Sequence, residues 1–295
     1  MPVAIFDMDG VLYRGDTVMP HARETLARLR AAGWQVYFAT NNSSASREDY
    51  VRRLERMALG GDVEHVVTSA FATAHYLERL QPRPRDVYVV GADGLRNEIR
   101  ATGIAVRERS TTPGLRPPKE AALEGGASTA AMRRHLVESE LPPPADTVVV
   151  GLDLHLTYAV LAEAQRSLLA GARFIASNKD RAYPVEGRLL PGAGSIVSAL
   201  EIASGRTALC IGKPEPFLFE EAVRRSGGAG PVLVVGDAPE YDIIAAHRIG
   251  ATGVLITTGL TGREAAGAAS GEAVPDHVIA SLDQLFTLPE VAALV

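Results

Sequence analysis

Two carboxylates spaced i, i+2, Asp7 and Asp9, stand where the apolar run Val3-Ala4-Ile5-Phe6 ends, and Gly10 follows them. In an extended segment residues two apart point to the same side. Both acids therefore serve one site as the strand opens into a loop that Gly10 allows to turn. Carboxylates so close repel unless something positive lies between them, and a hard divalent cation bound through oxygen is the usual solution. Mg²⁺ is the expected ion.

Three other short elements bring groups that could work beside this pair. Thr40-Asn41-Asn42-Ser43 follows the run Gln35 to Ala39 and precedes a helix expected from about Ser46. Hydroxyl, amide and backbone N–H groups at a helix start make an anion cradle, although the same residues are also ordinary loop and N-cap chemistry. Gly212-Lys213-Pro214 follows the run Ala208 to Ile211; of the 30 basic residues only Lys119, Lys179 and Lys213 are lysines, so a lysine at a strand end stands out. The fourth element, Val235-Gly236-Asp237 with Asp242 beyond it, follows Val232 to Val235. Taken alone, a Gly-Asp pair there reads as a turn.

The elements that must position these residues are strands expected at 3–7, 35–39, 87–91, 147–151, 173–176, 208–211, 232–236 and 253–257, alternating with amphipathic runs. Such alternation predicts an α/β fold with a doubly wound parallel sheet, whose ligands lie at the strand ends. Pro20 to Ala32, with Ala22, Leu26 and Leu29 on one stripe and Gly33 after it, predicts the first connecting helix. Residues 83–205 read as a separate unit entered through Gln81-Pro82-Arg83-Pro84 and containing two similar stretches, Val87 to Asp93 and Thr147 to Asp153. These are two ordinary strand-to-helix turns or a duplication, the former being favoured. Within the unit, 107–146 is rich in Pro, Ser, Gly and Ala and is expected to be a flexible excursion, with one helix at Ala127 to Glu140.

The chain of 295 residues carries a formal net charge of −5 and has a pI near 5.8. With no basic field, nucleic acid and anionic membranes are disfavoured as partners. A single cysteine, Cys210, excludes an intrachain disulfide and a multi-cysteine metal site. No apolar run approaches the ~18 residues of a membrane span. A strand expected from residue 3 leaves no space ahead of it for a signal peptide, so a cytoplasmic location is expected.

In their order, acid pair, hydroxyl loop, lysine and second acid pair, these elements resemble the haloacid dehalogenase (HAD) superfamily of aspartate-dependent phosphatases nearly end to end. Val150-Gly151-Leu152-Asp153, Ala176-Ser177-Asn178-Lys179-Asp180, Pro191-Gly192-Ala193-Gly194-Ser195 and the approach Ala203 to Pro214 narrow the resemblance. They look like the subfamily with a type-IIA cap, the NagD-like and para-nitrophenyl phosphatase-like enzymes, with phosphoglycolate and pyridoxal phosphate phosphatases among them. The resemblance implies a Rossmann-like HAD core from residues 1–82 and 206–295 with an inserted α/β cap at 83–205.

It further implies that Asp7 attacks phosphorus to form an aspartyl-phosphate and that Asp9 protonates the leaving group and then activates water. Mg²⁺ would be held by Asp7, the Asp9 carbonyl and Asp237, with Asp242 supporting the ion's water or orienting Lys213. Thr40, Asn41 and Asn42 would hold the phosphoryl group through the hydroxyl and backbone N–H groups, and Lys213 would neutralise its charge. The implied substrate is a small phosphorylated metabolite: a sugar, cyclitol or nucleoside monophosphate, phosphoglycolate or pyridoxal phosphate. Alternatives are a phosphotransferase or mutase on the same scaffold and a non-catalytic phosphometabolite-binding protein. Specificity is expected from the cap residues Asn178, Lys179, Asp180 and Tyr183, and homodimerisation through the cap is implied by the resemblance alone.

The run Ala238-Pro239-Glu240-Tyr241 departs from the subfamily's usual polar or basic residues and Thr, while both flanking acids keep their places. Gly192-Ala193-Gly194-Ser195 has two glycines of a dinucleotide fingerprint, but no strand is expected before it, so a Rossmann oxidoreductase is disfavoured.

Overall fold

The computed structural model describes residues 1–108, 143–185, 188–228, 230–258, 267 and 269–294. The expected helix Ala127 to Glu140 and most of the excursion 107–146 lie outside the described residues.

Two parallel sheets organise the chain. The larger has six strands in the order His277–Ile279, Thr252–Ile256, Val232–Gly236, Val3–Asp7, Gln35–Thr40 and Val66–Thr68. The chain starts in the middle, winds outward one way, and later winds outward the other way from Val232–Gly236. The strand order therefore reverses beside Val3–Asp7, the place where open α/β sheets hold ligands. Alternation along the central strands explains why both faces are covered. Ala4, Phe6, Val36, Phe38, Leu233 and Val235 enter one apolar cluster, whereas Val3, Ile5, Tyr37, Ala39 and Val234 enter another on the opposite face.

The helix predicted over Pro20 to Ala32 is Ala22–Ala31, and Ala22, Leu26 and Leu29 are its buried apolar residues. Burying each leucine stabilises the fold by about 1.5–3 kcal/mol. The next helix, Arg47–Arg56, is started by Ser46, whose side chain accepts from the Asp49 N–H while the Asp49 carboxylate accepts from the Ser46 N–H.

The second sheet has five parallel strands in the order Leu209–Cys210, Arg173–Ala176, Thr147–Val150, Asp86–Val90 and Ala105–Arg107. The two similar stretches are its neighbours, in register from Val87 opposite Thr147 to Val90 opposite Val150. One face packs on helices Tyr158–Leu169 and Ala193–Ser204. The other, through Val87, Val89, Val149 and Ile175, joins the same apolar cluster as Phe71, Leu77, Leu218 and Phe219 of the first unit. The two units thus share one continuous core.

Two expectations need correction. The boundary expected at 205/206 puts the strand leading to Lys213 with the first unit. That strand pairs instead with the second sheet, Leu209 opposite Ile175 and Cys210 opposite Ala176. The ladder runs on through Ile211 N–H to Ala176 O at 2.9 Å and Gly212 N–H to Ser177 O at 2.8 Å. An apolar run announces a strand but not its neighbour. Second, a strand, Arg188–Pro191, does precede Gly192 and helix Ala193–Ser204. It is an exposed strand of an antiparallel hairpin with Ala182–Val185, not a buried strand of a βαβ unit. A Cβ on Gly192 would lie 2.2 Å from Asp180 O, and one on Gly194 2.5 Å from Lys179 O. Those glycines serve packing against the 178–182 loop.

Among the described residues, no helix is long and apolar enough to cross a membrane.

Candidate active site

The C-terminal ends of the neighbouring parallel strands Val3–Asp7, Gln35–Thr40 and Val232–Gly236 deliver Asp7, Thr40 and Asp237 side by side at one edge of the sheet. Asp242 arrives from the π-helical turn Pro239–Ile243. Its place is fixed by contact with Gly236, where a Cβ would lie 2.2 Å from the Asp242 Cβ. Its Oδ2 accepts the Ala238 N–H at 3.1 Å. The unusual Ala238 to Tyr241 run thus forms a tight turn that keeps the second acid in place.

Lys213 is buried at the centre. Its Nζ donates to Asp7 Oδ1 at 2.6 Å and to Asp242 Oδ1 at 2.6 Å. Burial works against the ammonium, but the Asp242 and Asp7 carboxylates outweigh it and hold its pKa above the ordinary lysine range. Of the two expectations for Asp242, orientation of Lys213 is what its hydrogen bonds show.

Burial raises the Asp7 carboxyl well above the usual carboxylate range; Lys213 opposes this, and Asp242 and Asp237 add to it. One oxygen from each of Asp7, Asp237 and Asp242 can be chosen so that all lie within 4.8 Å of one another. Three carboxylates against one ammonium leave an excess of negative charge in a buried place. Hard oxygen donors so arranged fit a divalent cation. Asp9, two residues on, is exposed; desolvation raises its carboxyl, offset in part by Arg53 and then Lys213.

The hydroxyl loop divides its work. Thr40 Oγ1 accepts the Asn42 N–H at 3.2 Å and also meets the Tyr50 hydroxyl. The Asn42 side chain turns back on its own loop, its Oδ1 accepting from the Ser44 N–H at 2.8 Å and the Ser44 hydroxyl at 2.6 Å. Asn41 faces Lys213 and the second unit: its Oδ1 accepts the Lys213 N–H at 2.8 Å, and its Nδ2 donates to Lys213 O at 3.0 Å and Asp180 Oδ1 at 2.8 Å. Of the groups expected to hold phosphate here, the Asn42 N–H is bonded to Thr40 Oγ1, and the two asparagine side chains are engaged with protein partners.

The residues expected to set specificity are also spread. Asn178 is buried, donating to Asn41 O at 2.7 Å and accepting the Asp180 N–H at 3.2 Å. Lys179 pairs with Glu201 at 2.8 Å on helix Ala193–Ser204, apart from the acid cluster. Asp180 reaches the cluster's field: burial raises its carboxyl, while Asn41 and then Lys213 lower it. Tyr183 lies opposite Leu190 in the hairpin and is close enough to Tyr50 to raise the latter's pKa, behind the larger effects of burial and Asp9.

Sequence reasoning missed Tyr50 and Arg53. Arg53 donates to Gly15 O at 2.6 Å and stacks its guanidinium 4.3 Å from the Tyr13 ring centre. Both lie on the first helix after the hydroxyl loop, spaced i, i+3. That spacing beside Thr40 was the available signal.

Known proteins are similar to this chain along most of its length. The profile of the haloacid dehalogenase-like hydrolases matches residues 4–105, and the HAD-hydrolase-like profile matches 210–285. Glycerol-3-phosphate phosphatase of Gallus gallus is 36% identical over 263 residues, 87% of this chain and 80% of that protein. Human chronophin is 35% identical over 294 residues, 95% of this chain and 90% of its own. Among solved structures, p-nitrophenyl phosphatase from Archaeoglobus fulgidus superposes with a TM-score of 0.78 at 28% identity, covering 97% of this chain and 98% of its own. Glycerol phosphate phosphatase from Mycobacterium tuberculosis in complex with magnesium gives 0.79 at 30% identity, covering 99% of this chain and 78% of its own. With matched profiles on both flanks of the inserted unit and relatives aligned through it, this chain belongs to the haloacid dehalogenase-like hydrolases, as a phosphatase with a type-IIA cap.

Proposed function

We propose that this phosphatase hydrolyses a small phosphate monoester through an aspartyl-phosphate on Asp7, with Mg²⁺ as its ion. The observation that carries the reading is the Lys213 ammonium held 2.6 Å from both Asp7 and Asp242, with Asp237 completing the acid cluster. An ammonium there lowers the repulsion between Asp7 and an incoming phosphate dianion and keeps Asp7 oriented for attack. The cation, held by Asp7, the Asp9 carbonyl and Asp237, would supply further charge neutralisation. Burial raises the Asp9 carboxyl, the direction that favours an acid for the leaving alkoxide, and the residue is exposed two positions beyond Asp7. Thr40 and the N–H groups after it would bind phosphoryl oxygens.

Glycerol 3-phosphate is the first substrate to test, because two of the similar proteins carry glycerol phosphate in their names. Phosphate release should be measured over a panel of sugar, polyol and nucleoside monophosphates, phosphoglycolate and pyridoxal phosphate, with and without Mg²⁺. Metal-dependent release in water with no added acceptor supports hydrolysis; turnover only with an alcohol or sugar acceptor would make the chain a phosphotransferase.

A further inference from the structure

Lys213 has divided allegiance. Its ammonium must reach Asp7 and Asp242 of the core, yet its main chain hangs from Leu209–Cys210, the edge strand of the cap sheet. Something has to register that loop against the core. We propose that the Asn41 carboxamide is a positioning residue that pins the Lys213 main chain to the core loop and ties its placement to Asp180 of the cap.

The hydrogen bonds are specific. Asn41 engages both main-chain groups of Lys213, accepting its N–H at 2.8 Å and donating to its carbonyl at 3.0 Å. Two bonds to one residue fix rotation as well as distance. Nδ2 also donates to Asp180 Oδ1 at 2.8 Å, so both halves of the carboxamide are engaged. The Asn41 carbonyl is itself anchored, accepting from the Ser69 hydroxyl at 2.5 Å in the core and from Asn178 Nδ2 at 2.7 Å in the cap. Gly212 makes the approach feasible: a Cβ there would lie 2.6 Å from Asn41 Oδ1 and 2.7 Å from Ser177 O. Asn41 is only 8% exposed, and the same atoms are withdrawn from phosphate. A misplacement of about 1 Å in a catalytic group costs roughly 10²-fold in rate, which sets the size of the effect expected.

The inference rests on the role given to Lys213 above, and a double-mutant cycle separates the two. Turnover of p-nitrophenyl phosphate is measured at micromolar enzyme for wild type, Asn41→Ala, Lys213→Ala and the double variant, with thermal midpoints for all four. Asn41→Ala should lower kcat by roughly 10²-fold with KM changed less than about threefold. In the Lys213→Ala background it should cost less than about threefold more, because the group it positions is gone. The shift in midpoint should be the same in both backgrounds. Losses that multiply, or a raised KM at unchanged kcat, would overturn the positioning role while leaving Lys213 its own. Full activity in Lys213→Ala would remove both.

If Asn41→Ala does not fold, Asn41→Asp keeps the shape and turns the donor facing Asp180 and the Lys213 carbonyl into an acceptor. Adding Asp180→Asn returns a donor to that contact. Recovery of at least about fivefold in kcat over Asn41→Asp is expected; no recovery would refute the tie to the cap.

Discussion

Both sheets are parallel, both are covered by helices, and both aim strand ends at the same site, but they end in opposite chemistry. The core strands finish in Asp7, Thr40 and Asp237. The cap strands finish in Gly91, Gly151, Ser177 and Gly212. The core edge supplies acids and a hydroxyl; the cap edge supplies three glycines, the Ser177 hydroxyl and, from its outermost strand, Lys213. A Cβ on Gly151 would stand 2.7 Å from Ser177 Oγ and 2.8 Å from Ser43 Oγ, and one on Gly94 2.7 Å from Ser44 O. The cap's bare edge is therefore pressed against the core loop that follows Thr40. The difference teaches that this cap is a packed wall of the site, continuous with the core in one apolar cluster.

Changing the charged cluster, whichever sheet carries the residue, should erase the reaction for every substrate. Asp7→Asn should lower kcat by at least ~10⁴-fold on any phosphate monoester, as removal of a covalent nucleophile does. Steady-state phosphate release measures this. Lys213→Ala should cost roughly 10²–10³-fold, the scale of a lost charge-stabilising donor. Chelation should abolish turnover, and added Mg²⁺ should restore it.

Asp9→Asn sharpens the comparison by leaving group. In the pre-steady-state release of the alcohol it should cost roughly 10²–10⁴-fold on glycerol 3-phosphate, whose alkoxide needs a proton, and much less on p-nitrophenyl phosphate, whose phenolate leaves unaided, while the later hydrolysis step slows alike for both. Comparable losses on both in that release would deny Asp9 the acid's role.

Changing the cap hairpin Ala182–Val185, away from the Asp180 tie, should re-rank substrates and leave the chemistry standing. Tyr183→Ala should alter the ratio of kcat/KM between two good substrates by about 10–200-fold, the range of a single pocket contact. An unchanged ranking would remove Tyr183 from the specificity surface. The smallest effect belongs to the seam: Gly151→Ala should destabilise the fold by about 1–3 kcal/mol through overpacking, read as a lowered thermal midpoint.

The core was legible because its chemistry sits in contiguous runs: Asp7 and Asp9 at a strand end, Gly236 and Asp237 at another, each preceded by an unbroken apolar run that marks a buried parallel strand. Lys213 was legible as a residue but not as to the sheet that carries it, since strand pairing is a tertiary choice that Ala208 to Ile211 alone does not encode. Asn41 shows a second limit. Its type and place fit a phosphate loop, and only the partners across 172 residues of chain reveal that the carboxamide is engaged with Lys213. Tyr50 and Arg53 lay on a helix face whose neighbours the sequence does not name.

The central claim is that Asp7 takes the phosphoryl group before water does. Its most direct test is acid-quenched mass spectrometry of the Asp9→Asn variant mixed with p-nitrophenyl phosphate and Mg²⁺, where release of the intermediate is slowed. A covalent phosphate adduct is expected on the peptide containing Asp7, absent when Asp7→Asn is added. Burst release of nitrophenolate with the adduct on another residue, or turnover that persists in Asp7→Asn, would contradict it.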